Sequence, residues 1–153
     1  MKKIIEYTDD RELLDKLRGI IKEKSTKMGG PENAYNLFKK HASDDVEHFM
    51  IAVLNGAHEV IDVLVITKGL VNRTIVHPRE IFRPALMLNA CAIILSHNHP
   101  SGNLEPSQED LEITQRLVDA GGILGVAVLD HVIISKNGYR SLVETGEMRM
   151  PSK

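Results

Sequence analysis

Two histidines separated by one residue, His97-Asn98-His99, are followed after seven residues by Ser107-Gln108-Glu109-Asp110. In an extended chain, residues two apart point to the same face, so the two imidazoles project together. They do so at the end of a run, Ala90-Cys-Ala-Ile-Ile-Leu95, that is wholly apolar and reads as a buried central strand. Pro100-Ser-Gly102 can turn the chain back, so that Asp110, three residues into the next helix, meets the strand end. Two imidazoles and a carboxylate make a three-ligand site with an open fourth position, the arrangement of catalytic rather than structural zinc. Water in such a position loses several pKa units and becomes a nucleophile near neutral pH. A plainer explanation competes for part of this pattern. Ser107 followed by Asp110 also reads as a helix start, an N-cap with a favourable first-turn acid. A lone His-x-His pair is commonly incidental, but capping leaves unexplained why two histidines interrupt an apolar strand, since buried neutral imidazoles need partners.

Other chemistries are excluded by what the chain lacks. It has one cysteine, Cys91, so intrachain disulfides and cysteine-rich zinc frameworks are ruled out. The Pro-Cys-x-x-Cys of a zinc nucleoside deaminase is equally impossible. Neither Ser101-Gly nor Ser107 sits in the G-x-S-x-G elbow of a serine hydrolase. Cys91 itself reads as a small core residue. Arg79 and Arg83 share a helix face and read as solvated. His41, His48, His58 and His77 lie on polar or boundary segments and receive no role.

The elements that must position the site follow from periodicity. Leu13, Leu14, Leu17, Ile20 and Ile21 predict an amphipathic helix over Asp10–Lys24, and Pro31 opens a second, short one carrying Ala34, Leu37 and Phe38. Phe49 to Leu54 reads as a strand apolar on both faces, followed by the hairpin signal Asn55-Gly56 and a return strand, Val60 to Thr67. A short strand is expected at Arg73–Val76 and a helix from His77-Pro78. After the histidines a helix should run from Ser107 to about Ala120, ended by Gly121-Gly122. Leu124 to Ser135 is β-rich but interrupted by Asp130-His131, Asn137-Gly138 is a turn, and the tail after Thr145 should fray. The order implies one α/β domain: an N-terminal helical extension over 1–41, then a metal-binding unit over 42–153.

Composition sets the wider bounds. The chain has 153 residues, 42% hydrophobic and 26% charged, which is one domain with a core of its own. Trp is absent and aromatics are 4%, so that core is aliphatic. Nineteen basic against 21 acidic residues give a net charge of −2, without the basic excess that phosphate neutralisation calls for. Binding to nucleic acid is therefore expected to be weak or absent. No apolar run approaches the roughly 20 residues that span a bilayer, and the start has no apolar signal segment, so no membrane association and a cytoplasmic location are expected.

The four positions His97, His99, Ser107 and Asp110 fit the signature of the JAMM (MPN+) metalloprotease-like domains. The longer run SHNHPSGNLEPSQEDLEITQRL, with HPREIFRPAL before it and LDHVIIS after it, resembles the bacterial RadC family, over roughly Ala42 to Glu144. The resemblance implies a single JAB/MPN-type α/β domain, a mixed sheet flanked by helices as in cytidine deaminase. It implies one zinc ion per chain on His97, His99 and Asp110, and hydrolysis of a peptide or isopeptide bond in a peptide or protein substrate. The family's upstream glutamate falls on Glu47, which the resemblance makes the general base, with Glu59 and Glu80 weaker candidates. Ser107 would stabilise the oxyanion. Asp130-His131 matches a family D-H pair that could line the site, orient a ligand, or form a structural hydrogen bond. Members often carry an N-terminal helix-hairpin-helix-like region. About forty residues precede the matching part here and show no such pattern, so the resemblance is to a short form. The alternative function is a non-catalytic or accessory module associated with DNA repair or processing.

Overall fold

The computed structural model describes residues 26–42, 45–69 and 76–151. Helix α1 spans Pro31–Phe38, strands β1 and β2 span His48–Leu54 and Val60–Lys68, and helix α2 spans Pro78–Met87. Strand β3 (Ala92–Asn98), helix α3 (Gln108–Leu124) and strands β4 (Ala127–Ser135) and β5 (Gly138–Ser141) follow. The helix expected over Asp10–Lys24 and most of the strand expected at Arg73–Val76 lie outside the described residues.

The strands form one mixed sheet in the order β2-β1-β3-β4-β5, an α/β architecture. Among the described strands only the β3–β4 pair is parallel, and α3 makes its crossover. Every residue of β1 and of β3 is buried, as the unbroken apolar runs require of central strands covered on both faces. On one face, Ile51, Val53, Ile93 and Leu95 pack against Ile81 and Phe82 of α2 and Leu117 and Val118 of α3. On the other, Met50, Ala52, Ile94 and Val132 pack against Ala34 and Phe38 of α1. Among the described residues no helix is long and apolar enough to cross a membrane.

Several local expectations are corrected. Helix α3 does not stop at Gly121-Gly122 but runs to Leu124, capped by Gly125 in the left-handed region at φ 73°. Gly121 is there for contact: a Cβ on it would lie 2.4 Å from the Val126 carbonyl oxygen and 3.3 Å from Phe82. Strand β3 runs on through the first histidine to Asn98 instead of ending at Leu95. Cys91 is exposed, because the strand starts one residue after it. Asn55-Gly56 opens a five-residue connection, 55–59, rather than a two-residue turn, with the Asn55 side chain accepting from the Ala57 and Glu59 N–H groups.

Asp130-His131 does not interrupt β4 but lies within it, beside a register shift opposite Ile93/Ile94. Nor does the tail fray at Thr145. Asp130 Oδ2 accepts from Ser141 Oγ at 2.6 Å and Oδ1 from the Val143 N–H at 3.2 Å. Glu147 takes two bonds from Arg140, and Met148 is buried in the core.

Two outcomes follow from this packing. Gly121→Ala should destabilise the fold by about 1–3 kcal/mol, because the methyl meets backbone that cannot rotate away. Chemical denaturation measures it. Burial raises the Asp130 carboxyl above its ordinary range, against the hydrogen bonds from Ser141, Val143 and His131 that lower it. The folded state therefore holds the proton more tightly than the unfolded one. That stabilisation is complete below the unfolded pKa and is lost as pH rises through the folded one. Relative to Asp130→Asn, which does not titrate, the wild type should lose stability as pH climbs from the carboxylate range toward neutrality, in denaturation curves taken on both proteins.

Candidate metal centre

The carboxyl end of β3 sits where the sheet changes sense, antiparallel to β1 on one side and parallel to β4 on the other. Open α/β sheets place ligands at such points. His97 belongs to β3, and His99 is the first residue past its end that points to the same face. Their Nε2 atoms lie 2.8 Å apart. Helix α3 brings the third group. Ser107 Oγ accepts from the Asp110 N–H at 3.1 Å, and Asp110 Oδ2 accepts from the Ser107 N–H at 2.8 Å, a reciprocal capping box. That cap fixes the Asp110 rotamer, and its oxygens lie 3.4 Å from His97 Nε2 and 3.6 Å from His99 Nε2. One geometry thus closes the helix cap and also brings the Asp110 carboxylate to the two histidines.

His97, His99 and Asp110 can hold a metal ion: one donor atom from each lies within 4.8 Å of the others, and all three residues are buried. Ligands at the usual zinc distances in a tetrahedron stand about 3.3 Å apart, and the separation of the two Nε2 atoms, 2.8 Å, and of His97 Nε2 from Asp110 Oδ1, 3.4 Å, lie on either side of that value. Burial acts to raise the Asp110 carboxyl, but the neighbouring His97 and His99 rings outweigh it, with help from the Ser107 N–H. Its carboxylate is held far below the usual range, ionised as a ligand must be.

A cleft of about 440 Å³ opens beside the triad, lined among others by Glu47, His99, Ser101, Asn103, Glu105 and Ser107. Glu47 is there because of strand register. Phe49 pairs with His97, so the residue before β1 falls opposite His99. Glu59, at the turn at the far end of the β1–β2 hairpin, bonds Asn55 instead. Glu80, in the first turn of α2, does not line this cleft. The rim is latched from behind. Gly102, at φ 87°, gives its carbonyl to Asn137 Nδ2 and Ser135 Oγ, and a Cβ there would meet Asn137 at 2.8 Å. Glu105 on the same loop accepts from Arg140 at 2.8 Å.

Asn98 and His48, which drew no role from the sequence, hold the chain at Glu47. Asn98 Oδ1 accepts from the His48 N–H at 2.7 Å, and its Nδ2 donates to the Val46 carbonyl at 2.8 Å. The Asn98 side chain thereby grips the backbone on both sides of Glu47. His48 is buried, its Nδ1 2.7 Å from the Val46 carbonyl. The available signal was an amide at the end of an apolar strand, a group that must find partners. His131 is buried beside the triad, its Nε2 2.7 Å from His97 Nδ1, while Phe49 stacks parallel to His97 and meets His131 edge-on. Arg79 and Arg83 are exposed, as a solvated face should be.

A mixed sheet with His-x-His at the central strand's end and an aspartate in the first turn of the crossover helix defines a JAB-type domain with a possible metal site. Residues 28–147 match the RadC-like JAB domain. The chain belongs to that family. It is 50% identical over 105 residues to a UPF0758 protein of Rubrobacter xylanophilus, covering 69% of this chain and 46% of that one. A UPF0758 protein of Geobacter sulfurreducens is 44% identical over 123 residues, 80% of this chain and 54% of its own. One from Methanococcoides burtonii is 42% identical over 136 residues, 88% and 59% respectively. The chain spans about half the length of the relatives it matches.

Purified without chelator, the protein should contain about one divalent metal ion per chain. His97→Ala should lose it while keeping most of the fold, whose two apolar cores do not depend on a metal. Elemental analysis with circular dichroism checks both.

Proposed function

We propose that the chain is a zinc-dependent hydrolase of amide bonds, acting on a peptide or isopeptide bond in a peptide or protein substrate. The observation that carries this reading is that Glu47 and Ser107 line one cleft together with His99, a member of the buried His-His-Asp triad. Two imidazoles and a carboxylate suit zinc among the common divalent ions. Zinc held there supplies Lewis acidity and lowers the pKa of water in contact with it. Glu47 takes a proton from the attacking water and passes it to the leaving amine. Its backbone is clamped by Asn98, which keeps the carboxylate at the cleft. Ser107 donates a hydrogen bond from its hydroxyl to the carbonyl oxygen as charge develops, while the same oxygen accepts the helix-cap bond from the Asp110 N–H. Glu47 and Glu105 line the cleft, which suits a neutral or basic substrate segment better than a polyanion such as nucleic acid.

Glu47→Gln should separate metal binding from catalysis. Zinc content should stay near wild type while single-turnover hydrolysis falls by roughly 10²-fold or more, the usual contribution of a positioned base. Asp110→Asn should lose metal affinity and activity together, because a charged ligand becomes a neutral one. If Glu47→Gln sheds zinc as fully as Asp110→Asn, Glu47 is a ligand and not the base. The assay is paired zinc analysis and hydrolysis on both variants, with the substrate taken from a proteomic screen against Glu47→Gln.

A further inference from the structure

We infer that His131 and Thr114 are positioning residues, a one-way hydrogen-bond relay that fixes the tautomer of His97 so that a lone pair on Nε2 faces the metal centre. The inference rests on the metal-binding part of the reading above. Its direction is set at the helix end. Thr114 Oγ1 lies 2.6 Å from the Asp110 carbonyl oxygen, which can only accept, so the hydroxyl spends its one proton there. Toward His131 Nδ1, its other contact, the same oxygen can then only accept. His131 therefore carries its proton on Nδ1, and its neutral ring presents Nε2 as an acceptor. His97 Nδ1, 2.7 Å away, must donate to it. That leaves the lone pair of His97 on Nε2, the atom facing Asp110 Oδ1 and His99 Nε2.

His99 is set independently and in the same sense. Its Nδ1 lies 2.8 Å from the Asn103 carbonyl and must donate, so its lone pair is also on Nε2. Two imidazole lone pairs and a carboxylate oxygen thus converge, an arrangement that a cation between them resolves.

The relay begins at a backbone carbonyl of one ligand residue and ends on the ring of another. Its members are sealed from competing water: His131 is 0%, His97 1% and Thr114 2% exposed. A purely structural account has two parts. A mid-helix threonine commonly bonds the carbonyl four residues back, and His131 packs against Phe49. That account gives no reason for the threonine hydroxyl to meet an imidazole that in turn meets a ligand. Partners that orient a ligating histidine typically carry 10–100-fold of metal affinity.

The test reads zinc affinity by competition with a chromophoric chelator. Thr114→Val, which keeps volume and loses the hydroxyl, and His131→Phe, which keeps a ring and loses both nitrogens, should each weaken binding about 10–100-fold. Thr114→Ser should bind as wild type does. The double variant should bind no more weakly than His131→Phe alone, because Thr114 acts only through His131. Unchanged affinity in Thr114→Val, or losses that multiply in the double variant, would overturn the relay. Ring nitrogen NMR of the zinc-loaded wild type needs no variant. Protons on Nδ1 of both His97 and His131 are expected, and a proton on Nε2 of either refutes the proposal. Since none of these readouts is turnover, a protein that binds zinc through the relay yet cleaves nothing would sink the hydrolase reading alone.

Discussion

An imidazole sealed inside a β-sheet has two nitrogens that must both be partnered, and that constraint at His97 organises the molecule around it. One nitrogen looks along the sheet to His131 in the parallel neighbour, and the other looks out of the strand end toward His99 and Asp110. Satisfying the first requires β4 to lie beside β3 in its observed register. Satisfying the second requires the chain to turn back through Gly102 and begin a helix with a carboxylate in its first turn. The sheet order, the crossover helix and the loop between them are the means by which one buried ring is satisfied on both sides.

Asp110 shows how little of this is separable. Its Oδ2 closes the helix cap, its Oδ1 faces His97, and its backbone carbonyl receives the Thr114 hydroxyl. The carboxylate stays ionised because the two rings beside it and the Ser107 N–H outweigh its burial. A residue held by its own helix, with a rotamer set by the cap, is a better ligand than one on a loop, because its position does not have to be found at the moment of binding.

The centre of the molecule was legible in the sequence and its margins were not. The unbroken apolar runs at Phe49–Leu54 and Ala90–Leu95 read as central strands, and period-two spacing put His97 and His99 on one face. Position along a strand says nothing about which strand lies alongside. The approach of His131 to His97 and the grip of Asn98 on the chain around Glu47 were therefore invisible as geometry. Gly121-Gly122 reads as a stop because glycine is cheap at a helix end, yet here it permits contact with the Val126 carbonyl, a neighbour known only from the fold. The tail looked loose for a similar reason: Arg140, Glu147 and Met148 acquire partners only once β5 is laid beside β4.

The loop between His99 and Ser107 is tied to the sheet's far edge at Gly102 and again at Glu105. A rim fastened at two points surrenders little motion when something enters the cleft. The entropy of association then falls on the incoming molecule, at about 0.5–1.5 kcal/mol for each side chain it must immobilise. A segment already stiff and extended would bear the least of that cost, so a cleft rimmed in this way would discriminate by how ordered its visitor is before arrival as well as by what it contacts afterwards.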